Sequence, residues 1–202
     1  MHTTIRILVA ALVLSSACAS REEQPRDTTV VPATSPAATP AAAAGEGADG
    51  SGAASRWVMT PRGFGAVLAG MSTAELSRTL GEPVQPSYDV GSRCAYVRPG
   101  ALPRDVLVMI ENDTVARVDV RAKGIATAEG AGVGDAEASV LQRYEGRVRT
   151  APHKYTGPTG HYLIVSAPPD TAHLLVFETD GRTVQSYRGG RRPAAELVEG
   201  CS

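Results

Sequence analysis

Residues 152–162 read PHKYTGPTGHY, which places two of the chain's four histidines, a lysine and two tyrosines in one short stretch. Imidazole, amine and phenol groups at this density are the raw material of proton transfer, metal binding or recognition by aromatic contact. His153, Lys154, Tyr155, His161 and Tyr162 therefore form the first candidate site. A metal centre would need a further donor, and His173, at the start of the next strand-like run, is a candidate. A hairpin turning through Ala167-Pro168-Pro169-Asp170 sets His161 nearer Phe177 and His173 nearer Val165, so the two imidazoles fall out of register. No metal is expected there.

Other chemistry finds little support. The chain has no G-x-S-x-G, H-E-x-x-H, C-x-x-C or G-x-x-x-x-G-K-[ST] motif, so the common hydrolase, zinc, redox and nucleotide signatures are missing. Gly130-Ala131-Gly132-Val133-Gly134 lacks dinucleotide spacing, and Asp135 after it would repel a pyrophosphate. Glu75, Glu129 and Glu137 sit around expected helix starts, where the helix dipole favours negative charge without any catalytic role. No catalytic residue and no cofactor are expected. With 20 Lys and Arg against 21 Asp and Glu, no basic face for nucleic acid stands out.

The elements that must position this stretch come from an internal comparison. Residues 69–84, AGMSTAELSRTLGEPV, align without a gap on 133–148, VGDAEASVLQRYEGRV, with Gly70 on Gly134, Leu76 on Val140, Leu80 on Tyr144 and Val84 on Val148. Apolar residues four apart line one helix face in both. Ser72 with Glu75 makes a capping box, and Gly81 followed by Pro83 ends the first helix. In the second copy Asp135 is the expected N-cap and Gly146 the stop. Strand-like runs follow each helix: 94–97, 105–111 and 114–120 in the first copy, 161–165, 173–179 and 183–188 in the second. Turn residues Asn112-Asp113 and Asp180-Gly181 join the last two strands of each.

The expected fold is α+β: two tandem helix-plus-three-stranded antiparallel units packed as one domain over 56–202. Repeat 1 spans about 63–121, repeat 2 about 125–190, and a C-terminal tail follows. PHKYTGPTGHY then becomes the helix-to-strand connection of repeat 2, the counterpart of PSYDVGSRCAY at 86–96, with Tyr162 on Tyr96. Because the counterpart has neither His nor Lys, the fold does not require them. The loop is either a partner contact or a plain structural connection.

Gly70-Met71-Ser72, Leu76, Leu80-Gly81 and Pro83 resemble the helix motif of the SmpA/OmlA family, the BamE-like envelope lipoproteins. Tandem copies of such a unit look like the layout of the beta-lactamase inhibitory proteins. The resemblance implies a non-enzymatic envelope protein that binds another protein, either as an assembly or scaffold module or as an inhibitor of a secreted enzyme.

The chain's first residues agree with an envelope location. MHTTIRILVAALVLSSACAS has one early positive charge, an apolar run too short to span a bilayer, and small residues closing on Cys18. Residues 1–17 read as a signal peptide, and Cys18 resembles the lipidated cysteine of a bacterial lipobox, although Ala17-Cys18-Ala19 also fits ordinary cleavage. Residues 18–55, rich in Ala, Pro, Thr, Ser and Gly, read as a disordered tether. A lipid anchor would put the protein on the periplasmic side of the envelope, with the outer membrane favoured because Ala19 is not Asp. Cys94 and Cys201 then remain as a pair for a disulfide in an oxidising compartment, closing a loop of about 108 residues; two free thiols are the alternative.

Overall fold

A computed structural model of the chain describes residues 56–201. The expected signal peptide, Cys18 and linker all lie outside the described residues. Eleven strands in two sheets dominate: β1 (Val58–Thr60), β2 (Gly63–Phe64), β3 (Val67–Leu68), β4 (Cys94–Val97), β5 (Val106–Glu111), β6 (Thr114–Val120), β7 (Ala126–Thr127), β8 (Val148–His153), β9 (Gly157–Ala167), β10 (Asp170–Thr179) and β11 (Val184–Arg191). The helices are α1 (Thr73–Leu80), α2 (Glu137–Arg143) and a short 3-10 turn at Ala194–Glu196.

This corrects the α+β expectation: the protein is mostly β, and it is not built as tandem helix-plus-three-stranded units. Seven strands form one antiparallel sheet in the order β4-β5-β6-β11-β10-β9-β8, sealed in the middle by β6 on β11, with Tyr187 opposite Val120 and Gly190 opposite Arg117. A second sheet, β3-β2-β1-β7, was not expected. Its strands have two or three residues, too few to display a period of two, and they lie in Gly-rich sequence that reads as turn. The second half of the large sheet also contains four strands, because 148–153 is an edge strand rather than a connection.

Local chemistry explains the helix ends. The α1 capping box forms, with Ser72 Oγ accepting from the Glu75 amide and the Glu75 carboxylate accepting from the Ser72 amide at 2.8 Å. Gly81 closes α1 at φ +73°, a left-handed conformation that suits glycine. The second helix departs from expectation at both ends. Asp135 turns its carboxylate back to the Gly132 amide at 2.9 Å and gives its carbonyl to the Val184 amide, so exposed Ala136 becomes an N-cap without a side-chain bond. At the other end the helix stops at Tyr144 rather than Gly146, and the Tyr144 ring is fully buried with its hydroxyl on Thr127 Oγ1 at 2.7 Å.

The main core lies on one face of the large sheet. Val108, Ile110, Val118, Val120, Leu163, Val165, Leu175 and Phe177 from the sheet pack with Met59, Phe64 and Val67 of the small sheet and with Leu76 and Val140 of the helices. Full burial of such a side chain contributes about 1.5–3 kcal/mol. The opposite face has its own smaller apolar clusters, Tyr162, Leu174 and Val176 with Ala195, and Met109 and Ala116 with Ala194. Their partners show that residues 192–201 cross this face as a strap. Cys201 at its end is bonded to Cys94 of β4, with sulfurs 2.09 Å apart.

Candidate functional site

The turn from β8 to β9 places His153, Lys154 and Tyr155 beside the strap. The His153 ring stacks on Tyr162 with centroids 4.5 Å apart, and its Nδ1 accepts from the Tyr155 and Thr156 amides at 3.1 and 3.2 Å. Lys154 Nζ and the Tyr155 hydroxyl both donate to Glu199 of the strap, while the Lys154 amide donates to the Tyr162 hydroxyl. The Glu199 carboxylate, and then Tyr155, holds the exposed Lys154 amine above its ordinary pKa. Tyr162 is buried against Leu174, Val176 and Ala195, and that burial pushes its phenol up as well. Four of the five expected residues therefore gather around one end of the strap.

His161 does not join them. Adjacent residues of a strand point to opposite faces, so Tyr162 faces the strap and His161 faces α2. Its Nδ1 lies 2.9 Å from Glu137 Oε1, and the Thr179 hydroxyl donates to the same carboxylate. His173 is elsewhere again, with Nδ1 2.9 Å from Asp170 Oδ2, a carboxylate that also accepts from Arg62 Nε at 2.7 Å. Arg62 and then His173 hold Asp170 well below the usual carboxylate range. The hairpin register differs from the expected one. Asp170 pairs with Ala167, but Leu174 pairs with Ser166, so Thr171–His173 bulge out and the strand slides until His161 faces Thr179 and Leu175 faces Val165.

Sequence reasoning missed the polar network beneath the strap. Arg117 and Asp119 of β6 and Arg188 of β11 are 3, 8 and 3% exposed. Arg117 Nε donates to Asp119 at 3.0 Å, Nη1 to the carbonyls of Ala194 and Leu197 at 2.7 and 2.5 Å, and Nη2 to the Tyr96 hydroxyl at 2.5 Å. Arg188 Nε donates to the Ala195 carbonyl at 2.7 Å, and its Nη1 pairs with Glu178. Burial pushes the Asp119 carboxyl up, while Arg117 and Arg188 pull it down. Two guanidiniums against two carboxylates make the network neutral, and their spare donors grip three carbonyls of a crossing backbone. The available signal was Arg117-Val118-Asp119-Val120, charged and apolar residues in strict alternation. That pattern reads equally well as a solvated face, and only the strap makes it a buried one.

Around the strap a shallow groove is lined by Lys154, Glu196, Leu197, Val198, Glu199 and Gly200. Tyr155 beside it is 62% exposed, and Leu197 and Tyr96 are also exposed. Such a surface can hold a polypeptide by aromatic and aliphatic contact with paired charges at its edge.

No protein-family model matches the chain, and no curated protein matches it. Among solved structures it aligns with the uncharacterized protein yfeY from Escherichia coli at 13% identity, over 66% of this chain and 99% of that one, with a TM-score of 0.33. A likeness at that score carries no argument about this chain.

Proposed function

We propose that the protein is a non-enzymatic bacterial envelope lipoprotein that binds another protein, as an assembly or scaffold module, through the surface formed by the strap and the β8–β9 turn. The observation that carries this reading is the exposed set of Tyr155, Leu197 and Tyr96, set beside the Lys154–Glu199 pair on a backbone held from below by Arg117 and Arg188. Aromatic and aliphatic side chains on a rigid support lose little entropy on binding, which is the character of interface anchors. The lipobox-like Cys18, the Cys94–Cys201 disulfide and the BamE-like helix motif at Gly70–Pro83 support an envelope location. The anchor would sit in the outer membrane.

Replacing Tyr155 with photoreactive benzoylphenylalanine in the native host tests the surface. A discrete adduct with one membrane-associated protein is expected, with none from the same probe at exposed Arg78 on α1. An adduct with a soluble secreted hydrolase would transfer the reading to an inhibitor, and no adduct from position 155 or 197 would overturn it. The anchor has its own test: Cys18→Ala should move the protein out of the membrane fraction and abolish palmitate labelling.

A further inference from the structure

The strap is fastened in two different ways along its length. Its first half carries buried Ala194 and Ala195, a 3-10 turn, and carbonyls held by Arg117 and Arg188. Its second half lies nearer solvent. Val198 packs at the edge of the Tyr162 cluster, Glu199 meets Lys154 and Tyr155 at the surface, and Cys201 is joined covalently to Cys94. Side chains in an exposed pair hold a segment weakly, so the covalent bond is the strong fastening here. Both cysteines are half-buried rather than sealed in the core, which leaves the bond open to attack.

The seat of this second half is Tyr96. Gly200 has φ +67°, and a β carbon added to it would lie 2.6 Å from the Tyr96 hydroxyl, so the backbone rests directly on that ring. The same hydroxyl accepts from Arg117, whose other donors hold the Leu197 carbonyl just upstream. Lifting residues 198–201 would therefore uncover the hydroxyl end of Tyr96 and one side of Arg117. The main core, on the far face of the sheet, would not be touched.

We propose that the Cys94–Cys201 bond is a redox latch whose reduction frees Val198–Cys201 from the sheet and uncovers the Tyr96 hydroxyl and Arg117 while the rest of the fold stays intact. The reductant is a dithiol. One of its thiolates attacks a latch sulfur, breaking the S–S bond and forming a mixed disulfide, and its second thiol then displaces that bond. Two electrons and two protons pass to Cys94 and Cys201, and the dithiol leaves as its own disulfide. This inference goes beyond the binding reading and does not depend on it, since a latch can open whether or not a partner follows.

Chemical labelling of the Tyr96 hydroxyl in the native full-length protein, with and without dithiothreitol, tests the latch. After reduction, mass mapping of alkylated peptides should find both Cys94 and Cys201 as thiols without denaturant. Once both thiols are alkylated, acetylation of the Tyr96 hydroxyl by N-acetylimidazole should become at least tenfold faster, with the circular dichroism of the sheet unchanged. Cys201→Ser should reproduce that labelling rate without reductant. Gly200→Ala, which keeps both cysteines but crowds Tyr96, should speed reduction severalfold. The latch is overturned if the two thiols appear only in denaturant, if the Tyr96 hydroxyl labels as slowly once both are reduced, or if the circular dichroism of the sheet is lost together with the bond.

Discussion

Arg117 holds more of the strap than any other side chain described, and its removal separates two effects. Arg117→Met keeps apolar volume but leaves Asp119 buried without its main cation, and strips the Ala194 and Leu197 carbonyls of a donor. Breaking a buried pair from one side costs about 3–5 kcal/mol, so the urea midpoint should fall by a corresponding amount. Asp170 gives a pH signature. Its folded pKa is depressed by Arg62 and His173, so its contribution is fully present above the ordinary aspartate pKa of about 3.9 and is lost as pH falls toward the depressed folded value. Asp170→Asn should flatten the acid limb of a stability-versus-pH curve below about pH 4. An unchanged limb would remove Asp170 from that account.

Elements differ in how well their ends are made. The first helix has a complete capping box, and Ser72→Ala should cost about 1 kcal/mol in urea unfolding. The second has none, since Asp135 is used by the preceding turn and Ala136 stands at the N-cap with extended backbone and an exposed side chain. Ala136→Ser should therefore stabilise the protein by about 0.5–1 kcal/mol, a gain detectable as a higher urea midpoint. The sheet edges are protected rather than adhesive. β4 has only four residues, and β8 carries Arg149 and Pro152, so edge-to-edge pairing between copies is discouraged.

At the scale of the whole molecule, one large sheet serves two interiors. The main core is apolar and continuous, whereas the strap face is a neutral polar network between two small apolar clusters. The disulfide spans a sequence separation of 107 residues and ties the end of the strap to the edge strand β4. In the chain-entropy model, replacing both cysteines with serine should cost about 4–5 kcal/mol, read as a fall in the urea midpoint. A loss near zero would mean that the unfolded chain is already constrained in some other way.

Much of the local structure was legible because it depends on neighbours in sequence. The Ser72–Glu75 box, the Gly81 stop and the turns at Asn112-Asp113 and Asp180-Gly181 are set by short-range hydrogen bonds and allowed φ values, and residue types declare them directly. Setting Cys18 aside as lipidated or removed left Cys94 and Cys201 as the pair to expect, and the two are bonded. Strands of two or three residues were illegible, since nothing repeats within them, and so was a bulge that moves His161 and His173 by a few positions. The candidate stretch 152–162 was found as a cluster of residue types, but the pleat of β9 divides it, sending His161 to α2 and the rest to the strap. Arg117, Asp119 and Arg188 mark the limit most clearly. A charged residue alternating with valine says which face it occupies, but whether that face meets water or ten residues from much farther along the chain is decided only when the sheet closes and the strap is drawn across it.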